Sequence, residues 1–111
     1  MSRSGYVFYQ DILAGIITEN EEGYWFQYDN IYLQSTDNQA ISLTFPLKTD
    51  TYFSKILFPF FDGLIPEGWL LDIATENWKL NPRDRMGLLL TVCGDCIGAV
   101  SVKSLNSESH G

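Results

Sequence analysis

The alternation of apolar and polar residues near the start of the chain predicts a small antiparallel sheet. Tyr6 to Tyr9 is a short aromatic and β-branched run, and Ile12 to Thr18 follows it after the tight connection Gln10-Asp11. A charged turn that ends in glycine then leads into Tyr24 to Tyr28, which resumes strand character. These three segments predict a three-stranded meander.

A fourth strand is predicted from Ala40 to Phe45, where apolar and polar residues alternate again. One face of this strand would carry Ile41, Leu43 and Phe45. Pro46 would end the strand or mark an edge, because proline cannot donate a hydrogen bond to a neighbouring strand. The segment from Lys48 to Ser54 is predicted to be a polar loop around Tyr52 and Phe53.

The pattern changes at Ile56 to a dense apolar stretch that proline and glycine interrupt. It suits a single helical turn followed by a new helix that begins near Pro66 or Glu67. Residues at helical spacing then give that helix an apolar face, formed by Leu70, Leu71, Ile73, Ala74 and Trp78. Phe60, Phe61 and Leu64 are expected in the core, because a short apolar cluster usually closes a small domain.

A second helix is predicted over Arg83 to Leu90, with Asn81-Pro82 as its cap and first turn and with Met86, Leu89 and Leu90 facing inward. A last strand is predicted from Ile97 to Val102, and a polar tail from Lys103 to Gly111. The expected fold class is α+β: a small antiparallel β-sheet or partly open barrel with two packed helices. We expect one domain over residues 1–103 and a polar C-terminal tail over 104–111.

Composition and charge narrow the function. The chain has 111 residues, of which 45% are hydrophobic, so it can build one modest core. Its formal charge of −7 repels phosphate backbones and anionic lipid headgroups. We therefore expect no direct binding to nucleic acids or membranes. An acidic surface suits a basic protein partner, because complementary charge speeds encounter.

The expected compartment is the cytoplasm. No signal peptide is visible at the start of the chain, and no run of about 18 apolar residues occurs. The cysteines, Cys93 and Cys96, are too few for a disulfide scaffold. Their spacing fits a redox pair or half a zinc site, but zinc needs two further ligands and His110 is the only histidine. We expect two unmodified thiols at a turn, and no metal or cofactor.

Landmarks along the chain resemble the N-terminal subdomain of the HipA family of serine/threonine kinases, which act as toxins in bacterial toxin and antitoxin systems. The resemblance covers roughly residues 5 to 102. Its landmarks are Gly15, Phe26-Gln27-Tyr28, Ile41-Ser42-Leu43-Thr44-Phe45-Pro46-Leu47, Phe60-Phe61-Asp62-Gly63-Leu64-Ile65-Pro66-Glu67-Gly68 and Gly94-Asp95-Cys96-Ile97-Gly98-Ala99-Val100.

The resemblance stops short of the kinase itself. A HipA kinase continues for several hundred residues into an ATP-binding lobe, and the sequence has no candidate phosphate loop, catalytic base or magnesium ligands. We therefore expect no enzymatic activity from this chain alone. A free-standing version of the subdomain resembles HipS, the antitoxin of HipBST systems. That likeness implies a kinase inhibitor whose partner is a HipT-like serine/threonine kinase toxin, with a HipB-like DNA-binding protein as a further component of a ternary complex.

The expected partner-binding residues follow from the Pro-Glu-Gly turn at the predicted helix start. Trp69 follows Pro66, Glu67 and Gly68, where a rigid aromatic side chain could point outward and act as an anchor. The alternative is that Trp69 packs on its own core beside Leu70. Asp62, Glu67 and Asp72 would form an acidic rim around the anchor, or would be capping or solvated carboxylates.

Two other readings of the whole chain remain open. The first is a structural fragment of a full-length HipA-type kinase, with no neutralising role of its own. The second is a thiol or zinc protein built on Cys93 and Cys96.

Overall fold

A five-stranded antiparallel sheet is the frame of the protein. The computed structural model of the chain describes residues 2–36, 38–65, 81, 83–95 and 99–105. The sheet has the strand order β4-β3-β2-β1-β5 and is not closed into a barrel. Its strands are β1 Arg3–Tyr9, β2 Ile12–Asn20, β3 Gly23–Tyr28, β4 Tyr52–Ser54 and β5 Val100–Ser104.

The predicted meander of three strands is confirmed. Strands β1 and β2 are joined by Gln10 and Asp11, which both have left-handed backbone angles, with φ of 50° and 69°. Two consecutive residues with positive φ match the right-handed twist of the flanking strands, as a two-residue hairpin requires. The register shifts between Val7 and Phe8, which leaves Ala14 as an extra residue in β2. This irregularity explains why Ala14 and the next residue, Gly15, are both buried.

Gly15 lies where two strands approach most closely. A Cβ atom there would overlap the backbone oxygen of Gln27 on β3 and would lie 2.9 Å from the ring of Phe26. Glycine therefore permits the contact of Phe26 with β2 that buries this ring completely.

The strand predicted from Ala40 to Phe45 is wrong. This segment forms bends and turns, and the fourth strand is instead β4, within the predicted polar loop. Phe45 N–H donates to the carbonyl of Ser42 at 3.0 Å, which closes a turn. The turn sends Leu43 outward with 99% of its surface exposed, while Ile41 and Phe45 are buried. The alternation of apolar and polar residues in this segment therefore belongs to a turn, in which the apolar side chains point in different directions.

Tyrosine hydroxyl groups replace a strand partner for this segment. The Tyr28 hydroxyl accepts from Ile41 N–H at 3.0 Å and donates to the carbonyl of Phe45. The Tyr32 hydroxyl accepts from Gln39 N–H at 3.1 Å and donates to the carbonyl of the same residue at 2.7 Å. Burial raises the pKa of Tyr28 to about 12, so its hydroxyl keeps its proton at neutral pH. The polarity pattern of the segment cannot predict hydrogen bonds to side chains elsewhere in the chain.

Short helices connect and cover the sheet in the described part of the chain. They are α1 Asn30–Gln34, α2 Pro59–Asp62, α3 Arg85–Val92 and a 3₁₀ turn at Cys93–Asp95. The predicted single turn after Ile56 is confirmed as α2. The helix predicted to begin near Pro66 or Glu67 lies outside the described residues. Among the described helices, none combines the length and the hydropathy needed to cross a membrane.

Helix α3 is the predicted second helix, shifted by two residues. Its N-cap is Asp84 and not the predicted Asn81, because the Asp84 carboxylate accepts from Gly87 N–H at 3.2 Å. Asn81 instead caps the preceding turn by accepting from Arg83 N–H at 2.9 Å. Met86 and Leu89 are fully buried, as predicted, and Leu90 packs partly buried against the core.

The side chain of Arg3 ties the first strand to helix α3. Its guanidinium donates two hydrogen bonds of 2.8 Å to the two carboxylate oxygens of Asp84 and a third, of 2.7 Å, to Glu19 on β2. The Arg3 guanidinium holds the pKa of the Asp84 carboxyl below its usual range. A bidentate pair of this kind fixes the angle as well as the distance between the two elements.

The last strand extends further than predicted. Strand β5 ends at Ser104, so Lys103 and Ser104, which were expected in the polar tail, pair with Tyr6 and Gly5 of β1. Leu105 N–H then donates to the carbonyl of Ser4 at 3.0 Å. Polar composition misplaced the start of the tail, because an edge strand tolerates polar and charged residues.

Three aromatic rings join the sheet, the turn segment and α2. The rings of Phe26 and Phe45 lie 5.1 Å apart, and each lies 5.6 Å from the ring of Phe61. All three side chains are buried. Tilted and edge-to-face contacts at these distances contribute beyond the burial of apolar area. This cluster is the centre of the hydrophobic core, and Phe60 and Leu64 pack against its margin, as predicted.

We expect Gly15→Ala to lower the free energy of unfolding by about 1 to 3 kcal/mol, since the added methyl group meets backbone and a packed ring that cannot move freely. Gly63→Ala is the matched control. Gly63 follows α2 with φ of −68°, and the nearest atom to an added Cβ is 3.3 Å away. Urea unfolding of both variants checks this expectation. Equal stability of the two variants would contradict the close approach of β2 and β3.

Asp84→Asn should lower stability at pH 7 while keeping the helix cap, since asparagine caps as well as aspartate does. Because the folded-state pKa of Asp84 is depressed, the ionised carboxylate stabilises the fold above the unfolded-state pKa of about 4. That contribution is lost as the pH falls through the folded-state pKa. It is modest, because Asp84 is 39% exposed. In urea titrations from pH 7 to pH 2 the curves of parent and variant should converge, and parallel curves would disprove the coupling.

Candidate protein-binding surface

Of the predicted partner-binding residues, the structure describes Asp62. Pro66, Glu67, Gly68, Trp69 and Asp72 lie outside the described residues, so their binding role stays a prediction. The structure does describe the residues that come immediately before Pro66. Phe61 is completely buried and Ile65 is 2% exposed, so the chain is anchored in the core immediately before Pro66. The predicted binding segment therefore begins next to residues that are fixed in the core, which we call its base.

Helix α2 forms that base because of its local sequence. Pro59 occupies the first helical turn, where its missing N–H group costs no hydrogen bond. The N–H groups of Asp62 and Gly63 donate to the carbonyls of Phe58 and Pro59, both at 2.9 Å. One helical turn is enough to place Phe61 inward and Asp62 toward helix α3.

Asp62 forms an ion pair with Arg85. The Nε–H group of Arg85 donates to the Asp62 carboxylate at 2.6 Å, with side chains 33% and 44% exposed. Solvent screens a pair this exposed, so its contribution to stability is small. The pair nevertheless connects α2 to the first residue of α3, across 23 residues of sequence. It thereby holds the two ends of the intervening segment near each other.

An apolar cleft opens beside α2. Its volume is about 410 Å³, and aromatic rings supply most of its wall. The lining residues are Ser42, Thr44, Phe45, Tyr52, Phe58, Pro59 and Phe60. Leu43 lies between two of these residues in sequence and is the most exposed large apolar side chain in the described part of the chain. A cleft of this kind can accept apolar side chains of a partner, with hydroxyl groups at its edge.

No pattern in the sequence predicts this cleft directly. The predicted strand over Ala40 to Phe45 and the predicted loop over Lys48 to Ser54 placed the lining residues in unrelated elements. The fold instead brings Phe45 against Phe58 and Phe60, at ring distances of 5.1 and 6.1 Å, and sets Tyr52 on the other side at 4.9 Å. The density of aromatic residues between Phe45 and Phe61 was the available hint.

Cys93 is a core residue. It is fully buried at the end of α3, and its thiol donates to the carbonyl of Leu64 at 3.4 Å. Cys96 and His110 lie outside the described residues. Within the described ranges, no three histidine, cysteine, aspartate or glutamate side chains come together as metal ligands. The packing of Cys93 against the α2 region gives this thiol a structural role.

Comparisons with known proteins agree with this architecture along nearly the whole chain. Residues 5–103 match the family model of the HipA N-terminal domain. An uncharacterized protein of Haemophilus influenzae is 32% identical over 101 residues, which are 91% of this chain and 92% of that protein. A solved structure, the N-terminal domain of HipA toxin, superposes with a TM-score of 0.68 at 28% identity and covers 92% of each chain.

The extent of these matches determines the family of the chain. They comprise the small N-terminal domain and not the kinase catalytic domain. The open antiparallel sheet and its few helices are the fold of that domain. The chain belongs to the HipA N-terminal domain family.

Proposed function

We propose that this chain is a HipS-like antitoxin, which binds a HipT-like serine/threonine kinase toxin near its ATP site and neutralises it in the cytoplasm. The observation that carries the proposal is the match of residues 5–103 to the HipA N-terminal domain, which is distinct from the kinase catalytic domain. A domain of this kind can act on a kinase by binding to the catalytic lobe.

The relative from Haemophilus influenzae supports a separate protein of this size. Because 101 aligned residues make up 92% of it, that protein has about the same length as this chain. A protein of that length has no room for the nucleotide-binding apparatus of a kinase, which needs a phosphate loop, a lysine, a base and magnesium ligands. Family members of this small size are therefore suited to a regulatory role.

The described surface around α2 supports protein binding. The cleft offers aromatic walls for apolar side chains, and the exposed Leu43 stands beside it. Aromatic residues at a surface with few charges are typical of interface cores. The formal charge of −7 favours a partner with a cationic surface, which the phosphate-binding region of a kinase provides.

The proposed mechanism is stoichiometric occlusion. The segment from Pro66 to Asp72 inserts at the nucleotide-binding cleft of the kinase, with Trp69 as the anchor and with Asp62, Glu67 and Asp72 as an acidic rim. Its base is rigid, because Phe61 and Ile65 are buried. A rigid base reduces the conformational entropy that the binding residues lose on docking. Insertion would keep the kinase lobes apart and so prevent phosphoryl transfer.

A third component completes the proposed assembly. A HipB-like DNA-binding protein would bring the complex to an operator, and this chain would reach DNA only through its partners. Its net charge of −7 is the physical reason, since the chain repels phosphates and cannot release counterions from DNA.

The rival function is that of a structural subdomain within a full-length HipA-type kinase. Gene context separates the two. A neighbouring reading frame for a kinase that lacks this domain supports the antitoxin, whereas an uninterrupted reading frame past residue 111 supports the subdomain. A thiol or zinc role is disfavoured by the packing of Cys93, and it would require Cys93→Ser with Cys96→Ser to abolish activity and the purified protein to carry metal.

Co-expression with a neighbouring HipT-like kinase should restore growth, and the kinase should co-purify with the chain. Trp69→Ala should abolish protection and weaken binding by about 2 kcal/mol or more, as loss of a central aromatic anchor does. Ile31→Ala is the control, because Ile31 is 80% exposed on α1 and lies outside the proposed site. Growth assays and pull-downs read out both effects.

Two results would contradict different parts of the proposal. Full protection by Trp69→Ala would remove Trp69 from the site but leave the antitoxin role. Absence of both binding and protection by the parent chain would remove the antitoxin role itself.

Asp62→Asn should slow association with the kinase at low ionic strength, since a rim charge acts mainly on the association rate. Asp11→Asn makes the same charge change at the tip of the β1–β2 hairpin and should have a smaller effect. Arg85→Gln leaves the Asp62 carboxylate without its ion pair and should not slow association. Stopped-flow or biosensor kinetics can compare the three. An equal loss for Asp62→Asn and Arg85→Gln would mean that Asp62 acts through the ion pair and not toward the kinase.

A further inference from the structure

The apolar cleft beside α2 has a cation next to its wall. Tyr52 lines the cleft, and the Lys48 ammonium lies 4.1 Å from the centroid of the Tyr52 ring. An aromatic face attracts a cation at this distance. The Tyr52 hydroxyl also donates to the carbonyl of Pro46, two residues before Lys48. These contacts keep the ammonium beside the cleft although the Lys48 side chain is exposed.

Lys48 has no carboxylate partner in the part of the chain that the structure describes. The ion pairs there are made by Arg3 and Arg85. An unpaired cation stands out in a chain with 14 acidic residues and seven basic ones. An ammonium beside an apolar wall can donate charge-assisted hydrogen bonds, which are stronger than those between neutral groups. The Lys48 charge is therefore available to an anion from outside the chain.

Two hydroxyl groups at the cleft can supply a further hydrogen bond. The hydroxyls of Ser42 and Thr44 lie 3.0 Å apart and bond to each other, and Ser42 Oγ also accepts from Thr44 N–H at 3.2 Å. Two hydroxyls have two hydrogens, and their mutual bond uses one of them. Within the described residues the other hydrogen has no acceptor. A polar group of a ligand can accept it.

The cleft has the size and the lining of a small-molecule site. Its volume of about 410 Å³ falls within the range of about 300 to 1,000 Å³ that such sites have. The ring of Phe45 makes edge-to-face contacts with the three other aromatic rings of the lining, those of Tyr52, Phe58 and Phe60. The wall is thus packed from behind. Aromatic rings favour other aromatic rings in offset or edge-to-face contact, beyond the burial of area.

We propose that this cleft binds a small aromatic monocarboxylate, with the ligand ring against the aromatic wall and its carboxylate near the Lys48 ammonium. The aromatic lining selects the ring, and the unpaired cation selects the charge. A polyanion such as a nucleoside triphosphate does not fit, because one ammonium cannot offset several negative charges in a chain of net charge −7. A neutral aromatic molecule would leave the charge of Lys48 unpaired.

Such a ligand would occupy the same wall as an apolar side chain of a protein partner. The two would therefore compete for the cleft, and the ligand would weaken those contacts of a partner that use it. Ligand binding is a property of this chain by itself and does not depend on the antitoxin role. Failure of kinase binding leaves the inference intact, and failure of ligand binding leaves the proposed function intact.

Indole-3-acetate is the probe, and indole-3-acetamide is its matched neutral analogue, because the amide keeps the ring and removes the charge. In NMR titrations of the isotope-labelled full chain at neutral pH, indole-3-acetate should shift the backbone amide signals of Thr44, Tyr52 and Phe60. Indole-3-acetamide should bind about two- to fivefold more weakly, as for the loss of one exposed ion pair.

Lys48→Gln should remove the preference for the carboxylate, so that the variant binds both probes equally. Lys103→Gln is the matched control. It makes the same charge change, and the Lys103 ammonium also lies near a ring, 5.5 Å from the centroid of Phe8. Lys103 belongs to β5, however, at the opposite edge of the sheet from β4 and Tyr52. Its replacement should leave the affinity for indole-3-acetate unchanged.

Three results would overturn the inference. An absence of shifts at millimolar indole-3-acetate, or shifts confined to residues away from the cleft, would show that the cleft is not the site. Equal affinity of the parent for the two probes would disprove the selection of an anion. Equal losses of affinity in Lys48→Gln and Lys103→Gln would mean that the net charge of the chain, and not Lys48, acts on the ligand.

Discussion

The contact among Phe26, Phe45 and Phe61 is the interaction on which the rest of the structure depends. Each ring comes from a different part of the chain: a central strand, the turn segment after α1, and α2. The rings meet 5.1 to 5.6 Å apart and are fully or almost fully buried. Because this cluster fixes α2 against the sheet, it also fixes the apolar cleft and the point at which the predicted binding segment begins.

Sequence patterns predicted those parts of the fold that local interactions determine. The meander of β1 to β3 follows from alternation and turn residues, and α2 and α3 follow from proline positions and helical spacing. The strand prediction for Ala40 to Phe45 was wrong because Ile41 N–H and the Phe45 carbonyl bond the Tyr28 hydroxyl of β3, which is 13 and 17 residues away in sequence. Strand β4 was missed because three residues on the edge of a sheet depend on their neighbour β3 more than on their own pattern.

The candidate site was predictable only in part. Asp62 was predicted as a binding residue from its place in the run before Pro66, and that role stays a prediction. Its ion pair with Arg85 could not be foreseen because it joins two helices across 23 residues. The apolar cleft was likewise hidden, since Phe45, Tyr52 and Phe58 belong to separate segments of the sequence. They come together only through the pairing of β4 with β3 and the packing of Phe45 against Tyr52 and Phe58. Functional surfaces of a small domain thus depend on register, which alternation alone does not supply.

The match to the HipA N-terminal domain, the acidic charge and the apolar cleft beside α2 support one proposed claim, that this chain acts by binding a kinase. Phosphoryl transfer by a purified HipT-like kinase, titrated with the purified chain, tests that claim most directly. Kinase activity should fall linearly and end at one chain per kinase. Undiminished phosphoryl transfer at a molar excess of the chain would contradict it.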